Sequence, residues 1–311
     1  MSFTTEVKNE ICSLEFSKLE AAAFLSGFVR NNLLFSSDKL VLIDENLKVI
    51  RKIFSLIKEL YDVNIEIEQG KTANFGKKNC YSIIVSEKLN YILNDLNVTE
   101  GNSVLKKPNA YFLDSDDCIK AYLSGVFVAV GSINDPKKSR YHLEFLVNNM
   151  FEAELIIDLI SRFGIVAKVI NRDIGYMVYV KEAEKIGDFL RIVGVNRAVM
   201  YYEDIRIFRN QKNMTNRLNN CEQANVDKII ASCNRQLNDI NVIINNLGID
   251  LVDEKTKEVI EYRLKYPEAS LEELSKIISY ETEKELTKSG LNHRMRKIHD
   301  LAMKLNENKK G

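Results

Sequence analysis

The feature that most constrains the fold is an internal repeat built on two helix-length segments. Residues 21–32 read AAAFLSGFVRNN and residues 119–132 read IKAYLSGVFVAVGS, so both carry an aromatic residue followed by Leu-Ser-Gly. The distance between packed helices depends on the side chains at the contact, and a Ser-Gly pair lets two helix backbones approach closely. The repeat therefore predicts two helices that pack against each other.

Each of these segments is followed by the same series of patterns. Strands are predicted where β-branched and aromatic residues alternate, and helices where apolar residues recur at three- and four-residue spacing. In the first copy the predicted strands cover residues 39–44, 63–69 and 80–86, and the predicted helices cover residues 47–61 and 86–96. In the second copy the strands cover residues 141–147, 165–171 and 175–181, and the helices cover residues 151–164 and 181–194. A duplication with a period of roughly one hundred residues predicts a pseudo-twofold α+β domain.

Four segments are predicted along the chain. The two copies of the repeat occupy residues 1–106, which include an N-terminal extension, and residues 107–200. Residues 201–247 are polar, rich in asparagine and helical in pattern, and are predicted to connect two domains. Gly248 is predicted to end this helix, because glycine accepts the left-handed conformation in which many helices terminate. Residues 248–311 are predicted to form an all-α domain.

The pattern of the last segment is typical of a helix-turn-helix. Residues 254–265 form a predicted helix, and Pro267 separates it from the next one. That second helix begins after Ser270, where Glu273 three residues later predicts a capping box. A turn follows, and the last helix begins near Lys288. In a helix-turn-helix the last helix enters the major groove of double-stranded DNA.

The last helix has two faces of opposite character, and Thr287 or Ser289 is predicted to cap it. One face is apolar and is predicted to be buried: Leu291, Met295, Ile298, Leu301, Ala302 and Leu305. The polar side chains of the first turns are of the kinds that hydrogen-bond base edges. The predicted DNA-binding residues, within a helix-turn-helix from about Ala269 to Met303, are Lys288, Ser289, Asn292, His293, Arg294, Arg296 and Lys297.

The distribution of charge supports DNA as the partner. The chain has 44 basic and 44 acidic residues, so its total charge does not indicate a nucleic-acid binder. Residues 250–285 carry 11 acids and 6 bases, whereas residues 286–311 carry 7 bases and 2 acids. Arg294, Lys297 and Lys304 of this basic segment are predicted to contact phosphates, which fix the register of a protein on DNA. The alternative is a solvated basic face on a helix that binds protein.

Composition and spacing argue against several other classes of protein. Apolar residues make up 45% and charged residues 28%, which is typical of a soluble globular chain. No apolar run approaches the roughly 20 residues of a membrane span, and the N-terminus lacks the layout of a signal peptide. The five cysteines include no C-x-x-C pair, and no metal site, catalytic residue or cofactor is predicted. We expect a cytoplasmic protein that binds neither a membrane nor a small-molecule substrate.

The repeated Ser-Gly helices, each leading into a strand-rich half, resemble the paired helices of the LAGLIDADG homing endonucleases. The resemblance implies that an acid at the eighth position of each motif would hold the catalytic metal. Asn32 and Val130 stand at these positions, and neither supplies a carboxylate. The resemblance therefore implies the scaffold and argues against the activity. Asp38 and Asp135 follow the two helices and are predicted to lie in surface turns rather than to bind metal.

Over essentially all its residues the chain resembles the WhiA family, in which a LAGLIDADG-like domain is joined to a C-terminal helix-turn-helix. The blocks that carry the resemblance are residues 1–11, 121–136, 141–145, 216–225 (NRLNNCEQAN), 269–274 and 288–298 (KSGLNHRMRKI). The resemblance implies a nucleoid-associated, non-enzymatic protein that binds double-stranded DNA. It further implies roles in transcription control, cell division and chromosome segregation.

Several alternatives stay open from the sequence. The N-terminal domain binds DNA through the saddle of its sheets, or it binds a partner protein. In the block NRLNNCEQAN, Asn219, Asn220 and Asn225 hydrogen-bond a domain interface, or Arg217 reaches a phosphate. For the whole chain we expect sequence-specific DNA binding. A protein-interaction scaffold in cell division and an active homing-type endonuclease are the other hypotheses.

Overall fold

A computed structural model describes residues 1–36, 39–71, 79–101, 103–138 and 140–307. The chain divides into two compact units, Met1–Asn210 and Gln211–Gly311. Asp38, which was predicted to lie in a turn, is outside the described residues. Within the described ranges, no helix combines the length and the hydropathy needed to cross a membrane.

The first half of the first unit follows the predicted order of helices and strands. Its elements are α1 (Phe3–Ile11), α2 (Lys18–Asn32), β1 (Leu33–Ser36), β2 (Lys39–Asp44), α3 (Leu47–Tyr61), β3 (Ile65–Lys71), β4 (Asn79–Val85), α4 (Leu89–Asp95), β5 (Thr99–Glu100) and β6 (Ser103–Val104). The four longer strands form an antiparallel sheet in the order β1-β2-β4-β3. Helix α3 has the predicted bounds, because Asn46 caps its first turn and its apolar residues repeat at helical spacing.

The second half repeats this arrangement. Its elements are α5 (Asp116–Val130), β7 (Gly131–Ile133), β8 (Leu143–Val147), α6 (Met150–Ser161), β9 (Lys168–Asn171), β10 (Tyr176–Val180) and α7 (Ala183–Ile192). Its strands pair in the order β7-β8-β10-β9, which matches the order in the first sheet. Strands β1 and β7 are additional to the predicted ones and run directly on from α2 and α5. The predicted duplicated α+β fold is confirmed.

Helices α2 and α5 pack against each other through their Ser-Gly pairs. A Cβ atom added at Gly27 would overlap the carbonyl oxygen of Tyr122, and one added at Gly125 would overlap the carbonyl oxygen of Phe24. The hydroxyl of Ser124 donates to the Lys120 carbonyl at 2.8 Å, so this buried polar group is satisfied within its own helix. The predicted close approach of the two helices is confirmed, and it depends on the absence of a side chain at both glycines.

A buried ion pair links the two copies of the repeat and was not predicted. Arg30 of α2 lies 2.6 Å from the carboxylate of Glu152 on α6, and both side chains are only 4% exposed. The guanidinium also donates to the carbonyls of Asn97 and Leu105, at 3.1 and 2.9 Å. The Tyr122 hydroxyl donates to the other Glu152 oxygen at 3.3 Å. Because both charges are hydrogen-bonded, their burial is compensated.

Helix α8 (Asn196–Asn246) begins in the first unit, and its C-terminal part belongs to the second. Gly248 follows with a φ of +86°, as expected for a residue that ends a helix. The second unit then contains α9 (Glu254–Lys265), α10 (Leu271–Thr282) and α11 (Lys288–Glu307). The predicted connector is helical, but its predicted limits, residues 201–247, stay a prediction.

The core of the second unit lies where α8 meets the last three helices. Its fully buried members are Ile240, Ile243, Val259, Ile260, Leu274, Ile278, Leu291, Met295, Ile298 and Ala302. The predicted apolar face of α11 is therefore confirmed at four positions, while Leu301 and Leu305 are half-buried at its edge. Helices α9, α10 and α11 pack on one another and bury one stripe each in this core, together with the end of α8, and this burial fixes the rotation of α11 about its own axis.

Candidate nucleic-acid interface

Helix α10 starts with the predicted capping box. The backbone amide of Glu273 donates to Ser270 Oγ at 3.2 Å, and the Ser270 amide donates to the Glu273 carboxylate at 2.8 Å. The hydrogen bonds that the Glu273 carboxylate accepts from the backbone amide and the side chain of Ser270 hold the pKa of Glu273 below its ordinary value. The box satisfies two amides that would otherwise have no partner and fixes where α10 begins.

The turn between α10 and α11 is tied to α10 by one serine. Ser279 Oγ donates to the Ser275 carbonyl at 2.8 Å and accepts a hydrogen bond from the Leu286 amide at 2.9 Å. Glu283 adopts the left-handed conformation, with φ +54°, where α10 ends. These contacts define how the chain enters α11.

Thr287, one of the two predicted N-caps, caps α11. Its Oγ1 accepts a hydrogen bond from the Gly290 amide at 3.1 Å, and its carbonyl accepts one from the Leu291 amide at 2.9 Å. Ser289 lies inside the first turn and is exposed. Its hydroxyl therefore faces solvent at the end of α11 that a reading helix directs toward DNA.

Most of the predicted DNA-binding residues lie on the solvent side of α11. Lys288, Ser289, His293, Arg296 and Lys297 are exposed. At 3.6 residues per turn, the last four lie on the side opposite the buried stripe. Within the described part of the chain, no hydrogen bond or ion pair involves the side chains of Ser289, His293 or Arg296. Their donors are therefore available to a ligand.

Arg294 and Asn292 are placed differently from the other predicted residues. Arg294 is half-buried and lies 3.2 Å from Glu258 of α9, with both side chains 26% exposed. Its guanidinium helps to hold α11 on α9, so its predicted phosphate contact would require this pair to open. Asn292 is half-buried on the opposite flank of α11, toward α8. Neither of these two predicted DNA-binding residues is on the outer face formed by Ser289, His293, Arg296 and Lys297.

A groove of about 240 Å³ between α8 and α11 extends this surface beyond the predicted motif. Arg235 and Asp239 of α8 line it opposite Asn292 and Arg296 of α11. Asp239 lies 2.8 Å from His299, which fixes the two helices at one end of the groove. Arg235 was not predicted from the sequence. The buried residues of this part of α8 recur at helical spacing, and this spacing alone places Arg235 next to the side of α8 that faces α11.

The block NRLNNCEQAN lies on a fully exposed part of α8. The side chains of Asn219, Asn220, Asn225 and Arg217 are exposed. The only hydrogen bond found between side chains of the described residues 216–227 is internal, from Gln223 to Asp227 at 2.9 Å. The proposed roles in a domain interface or at a phosphate both stay predictions.

Asn32 and Val130, at the positions that would hold catalytic acids in the first unit, have structural roles. Asn32 accepts a hydrogen bond from the Ile43 amide and donates to the Ile43 carbonyl, both at 2.9 Å. These contacts join the end of α2 to β2. Val130, at the end of α5, is half-buried and apolar. Neither position offers a carboxylate to a metal.

A cavity of about 780 Å³ lies at this end of the paired helices and is closed on one side by α1. Thr4 of α1 donates to the Ile133 carbonyl at 2.8 Å and accepts from the Ile133 amide at 3.0 Å. Burial raises the pKa of Asp44 and lowers the pKa of Lys8 in the wall of the cavity. Among the described residues, no cluster of three or more histidine, cysteine or acidic side chains is arranged to hold a metal ion.

Asp135 lies in a surface turn, as predicted. Its carboxylate accepts a hydrogen bond from the Lys137 amide at 2.9 Å and one from the Tyr201 hydroxyl at 3.2 Å. The first contact is the local side-chain-to-backbone bond typical of aspartate in turns. The predicted turn role of Asp135 is confirmed.

The outward face of the second sheet carries both apolar and basic side chains. Arg172 lies 3.4 Å from the sulfur of Met177, and Lys181 lies 4.7 Å from the centre of the Tyr179 ring. Met177 of β10 lies in register between Leu146 of β8 and Ile170 of β9, and these two flanking residues are 48% and 39% exposed. One acid and one base, Glu144 and Lys168, occupy the neighbouring cross-strand positions. This face therefore presents the exposed apolar side chains of Leu146 and Ile170 beside basic ones.

Three family models match this chain in sequence. They describe the WhiA N-terminal LAGLIDADG-like domain at residues 18–99, the WhiA LAGLIDADG-like domain at residues 119–212 and the WhiA C-terminal HTH domain at residues 215–302. The chain belongs to the WhiA family. The match to the helix-turn-helix domain begins within α8, upstream of the predicted connector's end.

Similar proteins agree with this assignment over the full length. Proteins named "Probable cell division protein WhiA" from Bacillus cereus (strain AH187) and Bacillus anthracis (strain CDC 684 / NRRL 3495) are each 37% identical over 310 residues, covering 98% of this chain and 97% of theirs. The crystal structure of full-length DUF199/WhiA from Thermatoga maritima is 25% identical, with a TM-score of 0.60 over 98% of this chain and 99% of that one. This WhiA-family chain thus has the predicted duplicated LAGLIDADG-like domain followed by a helix-turn-helix domain.

Proposed function

We propose that this chain is a sequence-specific DNA-binding regulator that reads double-stranded DNA with α11. The observation that supports it most is the outer face of α11, where Ser289, His293, Arg296 and Lys297 are exposed opposite a fully buried stripe. Arginine reads guanine in the major groove, while lysine contacts phosphates. The capping box and the Ser279 contacts fix this face relative to the rest of the unit.

The proposed activity is binding without cleavage. Asn32 and Val130 replace the acids that a LAGLIDADG nuclease requires, and the amide of Asn32 is already bonded to Ile43. The Bacillus relatives are named as probable cell division proteins. We extend that role to this chain and propose that it acts through transcription control and chromosome segregation, in association with the nucleoid.

The test compares duplex affinity across a library of sequences at fixed salt. An Arg296→Ala variant should lose about 1–3 kcal/mol of binding free energy at its preferred site and less at unrelated sites. A Lys297→Ala variant should weaken binding to all sequences about equally. Arg162→Ala, an exposed arginine at the end of α6, is the matched control and should leave affinity unchanged. Equal affinities for the wild type and Arg296→Ala at every sequence would show that α11 is not the reader.

A second candidate function concerns the first unit. The exposed apolar side chains of Leu146 and Ile170, on the outward face of the second sheet, support a protein-interaction scaffold in cell division. On this hypothesis a Leu146→Lys, Ile170→Lys variant keeps its duplex affinity and loses its function in division. A variant that divides normally would argue against a partner at this face.

A further inference from the structure

Four helices of the second unit enclose a cavity of about 270 Å³ beside the N-terminal end of α11. Helix α8 contributes Lys228 and Ser232, and α9 contributes Arg263. The start of α10 contributes Ser270 to Glu272, and α11 contributes its first residue, Lys288. Lys228 and Lys288 are exposed at the rim, whereas Arg263 is fully buried.

Arg263 is the feature of this cavity that the core does not explain. Its Nη1 donates to the carbonyls of Ala269 and Tyr266, at 2.6 and 3.2 Å, which holds the loop after α9. Its Nε and Nη2 are buried without a hydrogen-bond partner, and no carboxylate pairs with it among the described residues. A buried guanidinium left half-satisfied is costly, and an anion is the ligand that compensates it fully.

The start of α10 adds the second element of an anion site. Helix α10 has 12 residues, and its first backbone amides have no partner within the helix. The Ser270 hydroxyl accepts the hydrogen bond of the Glu273 amide. The backbone amides of Leu271 and Glu272, which lie beside the cavity, remain for a ligand. Helix N-termini of this kind bind phosphate groups through their amides and their dipole.

One acid opposes an anion at this site. Glu272 lies 3.8 Å from Lys288 and 3.0 Å from Lys276, and these lysines hold its pKa below the ordinary value. A phosphate that enters the cavity would take Lys288 from Glu272, while Lys276 continues to pair with that carboxylate. The cavity retains a net positive lining from Lys228, Arg263 and Lys288.

We infer that this cavity holds a backbone phosphate of bound DNA, gripped between Lys228 and Lys288 at the rim and by the α10 amides below, with the buried positive charge of Arg263 behind them. The inference rests on the proposed function, and it adds α8 to the DNA-contacting surface. It assigns Lys228, which lies 60 residues before Lys288 and outside the predicted motif, as a phosphate ligand. A phosphate held here would fix the first turn of α11 in register on the duplex.

The experiment measures duplex affinity as a function of salt for single variants of the full chain. Lys228→Gln should weaken binding roughly two- to fivefold at every sequence, and the slope of log K against log salt should fall by about 1. Lys212→Gln, an exposed lysine of α8 that does not line the cavity, is the matched control and should keep the wild-type slope. Glu272→Gln should strengthen binding, because it removes the carboxylate that competes for Lys288.

A second arm distinguishes a DNA phosphate from free phosphate. Inorganic phosphate is added at constant ionic strength, and the Tm of the wild type is compared with that of Lys228→Gln. If inorganic phosphate raises the wild-type Tm while Lys228→Gln leaves duplex affinity and slope unchanged, the cavity takes a free anion and the assignment to DNA is wrong. Equal loss of slope in Lys212→Gln and Lys228→Gln would also overturn it, because the effect would then be one of general charge.

The outcomes separate this inference from the proposed function. Loss of sequence-dependent binding in Arg296→Ala with a wild-type response in Lys228→Gln would leave α11 as the reader and exclude the phosphate site. A wild type that binds no duplex at low salt would overturn both. Unchanged circular dichroism is expected for Lys228→Gln, since this side chain is exposed and makes no contact in the core.

Discussion

The ends of the paired helices in the first unit and the outer face of α11 in the second use polar side chains in opposite ways. Asn32 bonds both atoms of its amide to Ile43, and Arg30 bonds its guanidinium to Glu152 and to backbone carbonyls. On α11, Arg296 and His293 are exposed and form no such bonds within the described residues. A polar group already satisfied inside the fold has no donor or acceptor to offer a ligand.

The comparison assigns different tasks to the two regions of this WhiA-family chain. Substitutions at the paired helices should change the free energy of unfolding and leave the outer face of α11 intact. Substitutions on the outer face of α11 should do the reverse.

The largest effect on stability is expected at the ion pair between the two copies of the repeat. Glu152→Leu leaves Arg30 buried and charged without its carboxylate, so the free energy of unfolding should fall by about 3–5 kcal/mol. Urea denaturation measures this loss. Glu154→Leu on the same helix is the matched control, because Glu154 is 48% exposed, 3.8 Å from Lys107, and its pair should contribute at most about 1 kcal/mol. Equal losses in the two variants would mean that burial of the pair has no special importance.

A smaller loss is expected when the acid of the nuclease motif is restored. Asn32→Asp removes the donor to the Ile43 carbonyl and places a carboxylate against it, so unfolding should become easier by about 1–3 kcal/mol. Magnesium-dependent cleavage of plasmid DNA should not appear, because Val130 still stands at the matching position on α5.

Asn220→Asp, on the exposed part of α8, is the control for Asn32→Asp and should leave stability nearly unchanged. Cleavage by Asn32→Asp without loss of stability would mean that the paired helices keep a site for catalysis. That outcome would remove the contrast between the two regions.

Much of this fold was predictable because its determinants are local. Helices α3 and α9 begin at residues capped by Asn46 and Asp253, and their apolar spacing is complete within each helix. The two central helices could be identified from their Ser-Gly pairs. Two helices pack this closely only with a glycine at the contact, here Gly27 and Gly125.

What could not be predicted depends on residues that are distant along the chain. Arg30 and Glu152 are separated by 122 positions, and nothing in either local sequence indicates the other. Arg294 was assigned to phosphate because a helical pattern gives the face of a side chain but not its neighbour on the next helix, here Glu258. Lys228 was missed for the same reason, since α8 meets the start of α10 only in the folded unit.

The capping box of α10 should have an intermediate effect, confined to the second unit. Ser270→Ala removes the acceptor for the Glu273 amide and should lower the free energy of unfolding by about 1 kcal/mol. The pKa of Glu273 is lowered in the folded state, so its contribution is present above its unfolded pKa and is lost as the pH falls through the folded value. Denaturation at neutral and acidic pH should therefore show a smaller difference between Ser270→Ala and the wild type at acidic pH. A constant difference would mean that the Ser270 side chain adds nothing to the stabilisation of the Glu273 carboxylate.

The smallest effect on stability is expected on the outer face of α11, where the effect on binding is largest. Arg296→Ala should change the free energy of unfolding by no more than about 0.5 kcal/mol, because the side chain is exposed and bonded to nothing within the described residues. Duplex affinity should nevertheless fall, because the guanidinium donors of Arg296, which are not used within the fold, are available to bind guanine. Denaturation and duplex binding measured on one preparation give both values. If Arg296→Ala unfolds as easily as Asn32→Asp, this arginine supports the fold, and exposure alone does not mark the residues that read DNA.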